Sequence, residues 1–330
     1  MESIKNVAII TGGNSSEIVI SRKTAENILT NLDHTRYRCI LITIIGKEWI
    51  AAVADKEYAV DKNDFTILTP EERIDFDCVF IAIHGTPGED GKLQGYFDLL
   101  EIPYTTPSLL NTTLTFSKWH CNTLLKQMGI KCAGSYLVRK GDPISPDAIA
   151  KELGLPCFIK PNNAGSSFGI SKVKKIEGIL PAIEKAFGED AEVLIESAMI
   201  GREVTCGVLN FKGAIKALPI TEIISNNEFF DFEAKYNGAS QEITPANITP
   251  EITNEVQAIV VDIYHRLNMT GIIRIDFILQ QDGPYVIEIN TVPEVTVGSL
   301  IPQQAEASGI PLADLFSNAI EQAILNSQKA

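Results

Sequence analysis

Apolar residues in the first third of the chain alternate between short continuous runs and runs with helical spacing. The continuous runs predict buried strands at residues 7–10, 39–45 and 78–83, and the helical spacing predicts helices at 21–32 and 92–100. Strands that alternate with helices pair in parallel through right-handed crossovers, and ligands bind such sheets at the carboxyl ends of the strands. The pattern therefore predicts an α/β domain with a parallel sheet.

The rest of the chain is predicted to mix short strands with helices, so that the C-terminal part is α+β in character. Strands are expected at residues 134–138, 156–160, 170–173, 192–196, 204–209, 214–220, 272–279 and 285–289. Helices are expected at residues 112–128, 146–153, 176–187, 249–267 and 312–325. A polar stretch at 225–247 has little periodicity, and we expect it to close over a bound ligand, because structureless loops of this length are commonly functional.

Composition and charge indicate which classes of protein the chain can belong to. The chain has 330 residues, 45% hydrophobic and 21% charged, which is typical of a globular protein with two or more domains. Its net charge of −14 argues against binding to nucleic acid and to anionic membranes. The six cysteines are scattered, which disfavours zinc sites and disulfides. The first apolar run is too short for a signal peptide, so a cytoplasmic location is predicted.

Residues 165–169 match the G-x-S-x-G pattern of serine hydrolases, with Ser167 in the position of the nucleophile. That motif needs a strand that runs directly into the serine and a helix that leaves it. Residues 161–164 separate the preceding strand from Ser167, and the β-branched residues that follow indicate another strand. His265, which lies downstream, falls inside a predicted helix. A hydrolase is therefore disfavoured.

The same segment is better explained as a phosphate-binding loop between two strands. Small residues allow backbone N–H groups to approach oxyanions, and Ser166 and Ser167 add hydroxyl donors. Lys160, at the end of the preceding strand, would supply positive charge. The alternative is an ordinary Gly-Ser turn.

Polar residues recur with a period of two on the two strands predicted near the C-terminus. Arg274 and Asp276 share one face of the first strand, and Glu288 and Asn290 share one face of the second. If the two faces coincide, two carboxylates and an amide oxygen converge beside an arginine. Oxygen ligands of this kind suit Mg²⁺ held jointly with substrate phosphates. The alternative is a solvated hairpin with salt bridges.

Several motifs together resemble the D-alanine–D-alanine ligase family, and they follow one another in family order from about residue 7 to residue 309. They are GGNSSE at 12–17, HGTPGEDGKLQG at 84–95, KPNNAGSSFG at 160–169, EAKY at 233–236, RID at 274–276 and EINTVP at 288–293. The resemblance implies an N-terminal parallel-sheet domain (1–106) followed by a two-lobed ATP-grasp fold, with a central lobe at 107–196 and a C-terminal lobe at 197–330.

The resemblance also implies ATP-dependent ligation of two D-alanines through an acyl phosphate, for peptidoglycan synthesis, by a homodimer that uses two Mg²⁺ ions or Mn²⁺ in their place. The residues implied in ATP binding are Lys118, Lys160, Ser166, Ser167, Glu196, Glu203 and Lys235, with Asp276, Glu288 and Asn290 as metal ligands. Those implied in catalysis are Glu17, Ser166, Tyr236 and Arg274, and those implied in substrate binding are Glu17, His84, Arg274 and Ser299. Glu17 could instead be an ordinary helix-start carboxylate, and His84 an internally hydrogen-bonded histidine.

Three positions depart from the family pattern. Glu294 stands where a glycine is usual, Ala164 replaces a common acidic residue, and Ser197 stands where a lysine often occurs. We expect the Glu294 carboxylate to point away from the phosphates while its backbone N–H faces the oxyanion, because an inward charge would oppose ATP. The departures leave two alternatives open: a ligase of another amino or hydroxy acid, and a nucleotide-binding pseudo-enzyme.

Overall fold

The computed structural model describes residues 4–163, 165, 169–225 and 240–328. Its first sheet has the order β6-β5-β4-β3-β2-β1-β7. The strands are β1 Lys5–Gly12, β2 Tyr37–Ile45, β3 Glu48–Val53, β4 Lys56–Asp61, β5 Thr66–Leu68, β6 Arg73–Ile74 and β7 Cys78–Ile81. β1 pairs in parallel with β2 and with β7, as predicted. The antiparallel strands β3 to β6 extend this sheet and were not predicted from the sequence.

Two helices border the carboxyl end of this sheet. Helix α1 (Ile18–Asn31) follows β1, and helix α2 (Lys92–Leu99) follows the loop after β7. The residues that connect each strand to its helix lie at the edge of the parallel strands, where the topology places ligand sites.

The middle of the chain forms an antiparallel sheet of order β10-β9-β11-β8. Its strands are β8 Ser135–Arg139, β9 Cys157–Pro161, β10 Ser171–Val173 and β11 Glu192–Ser197. Helices α5 (Pro146–Leu153) and α6 (Ile179–Ala186) pack their apolar residues on it and form one buried cluster with it. β9 and β10 form a hairpin, so the segment predicted to bind phosphate does connect two strands.

Residues 112–128 form two helices, and the prediction of a single helix is wrong. Helix α3 (Leu109–Phe116) ends at Ser117, whose backbone is extended, and helix α4 (Lys118–Gln127) starts immediately afterwards. The Asn162 carbonyl accepts from the Lys118 N–H at 3.2 Å, and the Asn162 Oδ1 accepts from the Trp119 N–H at 2.8 Å. These bonds satisfy the N-terminus of α4 and place Lys118 at the start of a helix.

The third sheet has the order β15-β14-β12-β16-β17, with β13 paired to β12. Its strands are β12 Arg202–Phe211, β13 Ala214–Ala217, β14 Thr221–Ser225, β15 Ser240–Ile243, β16 Ile272–Gln280 and β17 Gly283–Asn290. Helix α7 (Pro250–Arg266) covers one face through Val256, Val260 and Ile263. Residues 226–239, within the stretch expected to close over the ligand, lie outside the described residues. β15 occupies part of the rest of that stretch.

The C-terminal helices return to the first sheet. Helix α8 (Leu300–Ala307) leads into helix α9 (Leu312–Ser327), which packs on α1 and β7. The rings of Phe80 and Phe316 lie 5.9 Å apart, edge to face, within a cluster that also contains Val7 and Ile28. The core beside β1 and β7 is therefore completed by residues more than 200 positions further along the chain. Within the described ranges, no helix is long and apolar enough to cross a membrane.

Candidate active site

A cavity of about 780 Å³ lies where the three sheets meet. Every predicted site residue that the structure describes lines it: Glu17, His84, Lys118, Lys160, Glu196, Glu203, Arg274, Asp276, Glu288, Asn290 and Ser299. The other predicted site residues, Ser166, Ser167, Lys235 and Tyr236, lie outside the described residues. The described site residues lie up to 282 positions apart in the sequence, and the fold brings them together around this cavity.

The pairing of β16 with β17 sets the polar wall of the cavity. Arg274 pairs with Asn290 and Asp276 pairs with Glu288, so the two predicted faces do coincide. A bulge after this pair shifts the register, and the next residue pair is Phe277 with Val286. The pairing thus holds both carboxylates side by side on one surface.

Asp276 is the most heavily bonded residue of this wall. Arg274 donates to both of its carboxylate oxygens, from Nε at 2.9 Å and from Nη2 at 2.8 Å. Thr205 Oγ1 donates to Oδ1 at 2.5 Å, and Asn290 Nδ2 donates to Oδ2 at 3.0 Å. Burial alone would lower the pKa of the Arg274 guanidinium, but the charges of Asp276, Glu288 and Glu294 outweigh it and raise that pKa above its usual value. Arg274 is therefore positively charged, and its bonds to Asp276 hold it in one orientation.

The donors on this wall fit a magnesium ion. Mg²⁺ is usually held by one or two carboxylates and completes its octahedron with water and phosphate oxygens. Two carboxylates and one amide match that demand, whereas no group of three or more His, Cys, Asp or Glu in the described parts of the chain could hold a metal alone. The Asn290 amide now presents its nitrogen to Asp276, and a half-turn would present its oxygen instead.

Two lysines approach the cavity from the central part of the chain. Lys118 Nζ lies 3.5 Å from Glu288 Oε2, opposite the β17 wall. Lys160 Nζ lies 2.5 Å from Glu196 Oε2, and both side chains are only 8% exposed. Asn122 Nδ2 donates to the other oxygen of Glu196 at 2.5 Å. These contacts hold the Lys160 ammonium in a defined position.

The N-terminal side of the cavity is acidic. A Cβ atom built on Gly165 would lie 2.6 Å from Glu17 Oε2, so the Glu17 carboxylate occupies the space next to this glycine. Gly85 also lies close to it, because a Cβ atom built on Gly85 would be 3.2 Å from Oε2. Glu17 thus sits between two glycines from different parts of the chain, at the carboxyl end of β1.

Glu89 is a second carboxylate at this end, and no role for it was predicted from the sequence. It accepts from the backbone N–H groups of Gly85 at 2.8 Å and Val292 at 3.3 Å. Burial, followed by the charge of Glu17, raises the pKa of Glu89 to about 8. The HGTPGEDG motif contains Glu89, but its proximity to Glu17 depends on tertiary structure.

His84 is held as a neutral ring. Thr24 Oγ1 lies 3.0 Å from its Nε2, and Ser21 Oγ accepts from its backbone N–H at 3.0 Å. Burial, which outweighs the charge of Glu294, lowers the pKa of His84 to about 4. The imidazole can therefore act as a hydrogen-bonding group beside the cavity, but it carries no charge near neutral pH.

Two family models match most of the chain. The models for the D-ala D-ala ligase N-terminus and C-terminus match residues 6–107 and 124–321. The chain belongs to the D-alanine–D-alanine ligase family. A D-alanine–D-alanine ligase of Flavobacterium johnsoniae is 51% identical over 319 residues, which are 96% of this chain and 99% of the relative.

Solved structures agree with this ligase in fold. VanG D-Ala:D-Ser ligase from Enterococcus faecalis superposes with a TM-score of 0.86 at 30% identity, over 97% of this chain and 100% of that chain. The D-alanine–D-alanine ligase from Bacillus anthracis complexed with ATP gives 0.81 at 28% identity, over 98% and 99% of the two chains. The predicted ATP-grasp fold is thereby confirmed.

Glu294 of this ligase is part of the cavity wall. Its charge acts on both Arg274 and His84. Thr296 Oγ1 donates to Glu294 Oε1 at 2.5 Å and holds the side chain along the cavity wall. The Glu294 side chain therefore contributes to the cavity wall, and the expectation that its carboxylate points away from the phosphates stays a prediction.

Proposed function

We propose that the cavity joins two molecules of D-alanine by way of an acyl phosphate. Membership of the family makes the protein an ATP-dependent ligase that forms D-alanyl-D-alanine for peptidoglycan synthesis. In the first step a carboxylate oxygen of one D-alanine attacks the γ-phosphorus of ATP, which yields D-alanyl phosphate and releases ADP. A carboxylate is a poor acyl donor, and this step gives it a leaving group.

In the second step the amine of the other D-alanine attacks the carbonyl carbon of the acyl phosphate. The new C–N bond forms, the C–O bond to phosphate breaks, and the departing phosphate takes the proton that the amine nitrogen loses. Negative charge develops on the carbonyl oxygen in between, and Arg274 is the cation placed to stabilise it. Its two bonds to Asp276 fix its orientation in advance.

The lysines and the β16–β17 wall are assigned to ATP. Lys118 and Lys160 bind phosphates, Ser166, Ser167 and Lys235 assist them, and Glu196 and Glu203 bind adenosine. Asp276, Glu288 and Asn290 hold Mg²⁺, which when bound offsets charge on the transferring phosphoryl group. Glu17 binds the ammonium of the first D-alanine, with His84 nearby, and Ser299 binds the carboxylate of the second. Ser166 and Tyr236 orient the ligands.

One observation carries this proposal: the register of β16 and β17, which places Arg274, Asp276, Glu288 and Asn290 on one wall that Lys118 faces. Further assignments rest on the family alone. They are the domain ranges 1–106, 107–196 and 197–330, a homodimer, two Mg²⁺ ions with Mn²⁺ as a substitute, and a cytoplasmic location. These stay predictions.

The test is product identification by mass spectrometry with ATP and a panel of D- and L-amino acids and D-lactate. D-alanyl-D-alanine with stoichiometric ADP is the expected result. A product formed only from another acid would replace the substrate assignment. ATP binding without ADP release would show a pseudo-enzyme.

A further inference from the structure

Glu294 occupies the part of the cavity that the proposed function assigns to the second substrate. Its backbone carbonyl accepts from Ser299 Oγ at 3.0 Å, and Thr296 Oγ1 bonds its carboxylate. On the other side its charge acts on Arg274. Glu294 is therefore bonded to the residue assigned to the acceptor's carboxylate and interacts with the residue assigned to the reacting carbonyl.

Glu242 places a second negative charge beside Glu294. It lies on β15, lines the same cavity, and accepts from Gln303 Nε2 at 2.7 Å. Burial, and then the nearby Glu294, raises the pKa of Glu242, although Arg274 opposes this. Within the described parts of the chain, neither carboxylate lies within 4.0 Å of a lysine or arginine nitrogen, since Arg274 pairs with Asp276. Among the described residues, the acceptor end of the cavity thus holds two carboxyl groups with which no lysine or arginine pairs.

We propose that Glu294, reinforced by Glu242, selects an acceptor that carries an ammonium group over one that carries a hydroxyl group. The proposal rests on the proposed function and concerns binding of the acceptor, with no added covalent step. An amino acid and its 2-hydroxy analogue offer Ser299 the same carboxylate and differ only in the neighbouring charge. Glu294 repels the carboxylate of both acceptors equally, so this repulsion leaves the ratio of their two products unchanged. Attraction between Glu294 and the ammonium favours only the amino acid and therefore changes the ratio.

The test is a competition between D-alanine and D-lactate as acceptors in one tube at pH 7, with D-alanine as the donor throughout. Mass spectrometry gives the ratio of dipeptide to depsipeptide. This ratio does not depend on how much of the enzyme is folded. The variants are Glu294→Gln and Glu242→Gln, which remove the charge and keep the shape. Glu306→Gln, at an exposed position on α8 and absent from the cavity wall, is the matched control.

Glu294→Gln should lower the ratio at least tenfold, Glu242→Gln should lower it by a smaller factor, and Glu306→Gln should leave it unchanged. A Glu294→Gln ratio within twofold of the wild-type ratio would overturn the proposal, as would a wild-type enzyme and a variant that both make no depsipeptide. If Glu294→Gln forms no product, two other variants test the proposal. The ratio of dipeptide to depsipeptide should then stay at the wild-type value in Glu294→Asp and fall in Glu242→Gln. A wild-type enzyme that forms no dipeptide would instead contradict the proposed function.

Discussion

The ammonium of Lys160 and the carboxylate of Glu196 form a buried ion pair, 2.5 Å apart, across the neighbouring strands β9 and β11. Both side chains are assigned to ATP, the lysine to its phosphates and the glutamate to its adenosine. Each side chain therefore holds the other in a defined position on the cavity wall.

Removal of one member of this pair should destabilise the protein more than removal of both. Lys160→Met leaves the Glu196 charge buried, and we expect the free energy of unfolding to fall by about 3 kcal/mol. The double variant Lys160→Met/Glu196→Gln should lose less than about 1.5 kcal/mol, because no buried charge remains. Urea unfolding of the single and double variants measures this coupling. Equal losses in Lys160→Met and in the double variant would show that the pair is not energetically coupled.

Glu288→Gln should abolish turnover without loss of the fold. The change keeps the shape and the strand pairing with Asp276, but it removes a charged oxygen from the proposed metal site. We expect kcat/KM to fall at least a hundredfold, about 2.7 kcal/mol of transition-state stabilisation. Coupled ADP release measures it, and Glu152→Gln, exposed on α5, is the control for the lost charge. Activity within tenfold of the wild type would exclude Glu288 as a metal ligand.

Glu89 should make the stability of the ligand-free protein fall as pH rises. Its folded pKa of about 8 lies above the usual value of 4.5, so between these pH values the folded state holds a proton that the unfolded state lacks. Stability then declines with pH by at most about 1.4 kcal/mol per unit, and the decline ends above pH 8.

Glu89→Gln removes this titration, so its stability relative to the wild type should increase from pH 5 to pH 8. Thermal or urea unfolding at several pH values follows the difference. Parallel curves for the two proteins would mean that Glu89 ionises normally in the folded state.

Gly165→Ala should impair binding of the first substrate while sparing stability. The new methyl group would lie 2.6 Å from Glu17 Oε2, but the flexible end of that side chain can move aside at little energetic cost. A displaced carboxylate no longer meets the substrate ammonium. We expect KM for the first D-alanine to rise at least tenfold with a shift in Tm of less than about 2 °C.

Gly178→Ala is the control for this change, because its Cβ would approach only Val173, away from the cavity. Steady-state kinetics with varied D-alanine separates the two variants. A normal KM in Gly165→Ala would argue against the role proposed for Glu17.

Elements that follow from the residues of one segment were predictable from the sequence. Features that depend on contacts with residues far away in the sequence were not. Helix α7 and the β16–β17 hairpin follow from periodicity, and so does the shared face of Arg274 and Asp276. The break at Ser117 depends on Asn162, which is 45 positions away, and no local signal marks it. Strands β3 to β6 are short and partly exposed, so their apolar pattern is weak.

The candidate site shows the same division. The quoted family motifs contain seven of the eleven described site residues, and the resemblance implied the other four, which lie outside those motifs: Lys118, Glu196, Glu203 and Ser299. The pKa of Glu89 and the direction of the Glu294 carboxylate depend on burial and on neighbouring charge, which only the assembled structure contains. The hydroxyl of Thr296, two residues later, fixes the Glu294 side chain, and the backbone argument made from the sequence did not include this bond.

The packing of α9 on the first sheet affects how the chain can be made in a cell. The sheet containing Phe80 leaves the ribosome long before Phe316 is added, and at 5 to 20 residues per second the delay is about 10 to 50 seconds. During that interval the apolar surface around Val7, Ile28 and Phe80 has no permanent cover. Until α9 has been made, this apolar surface is therefore available for contacts with other chains.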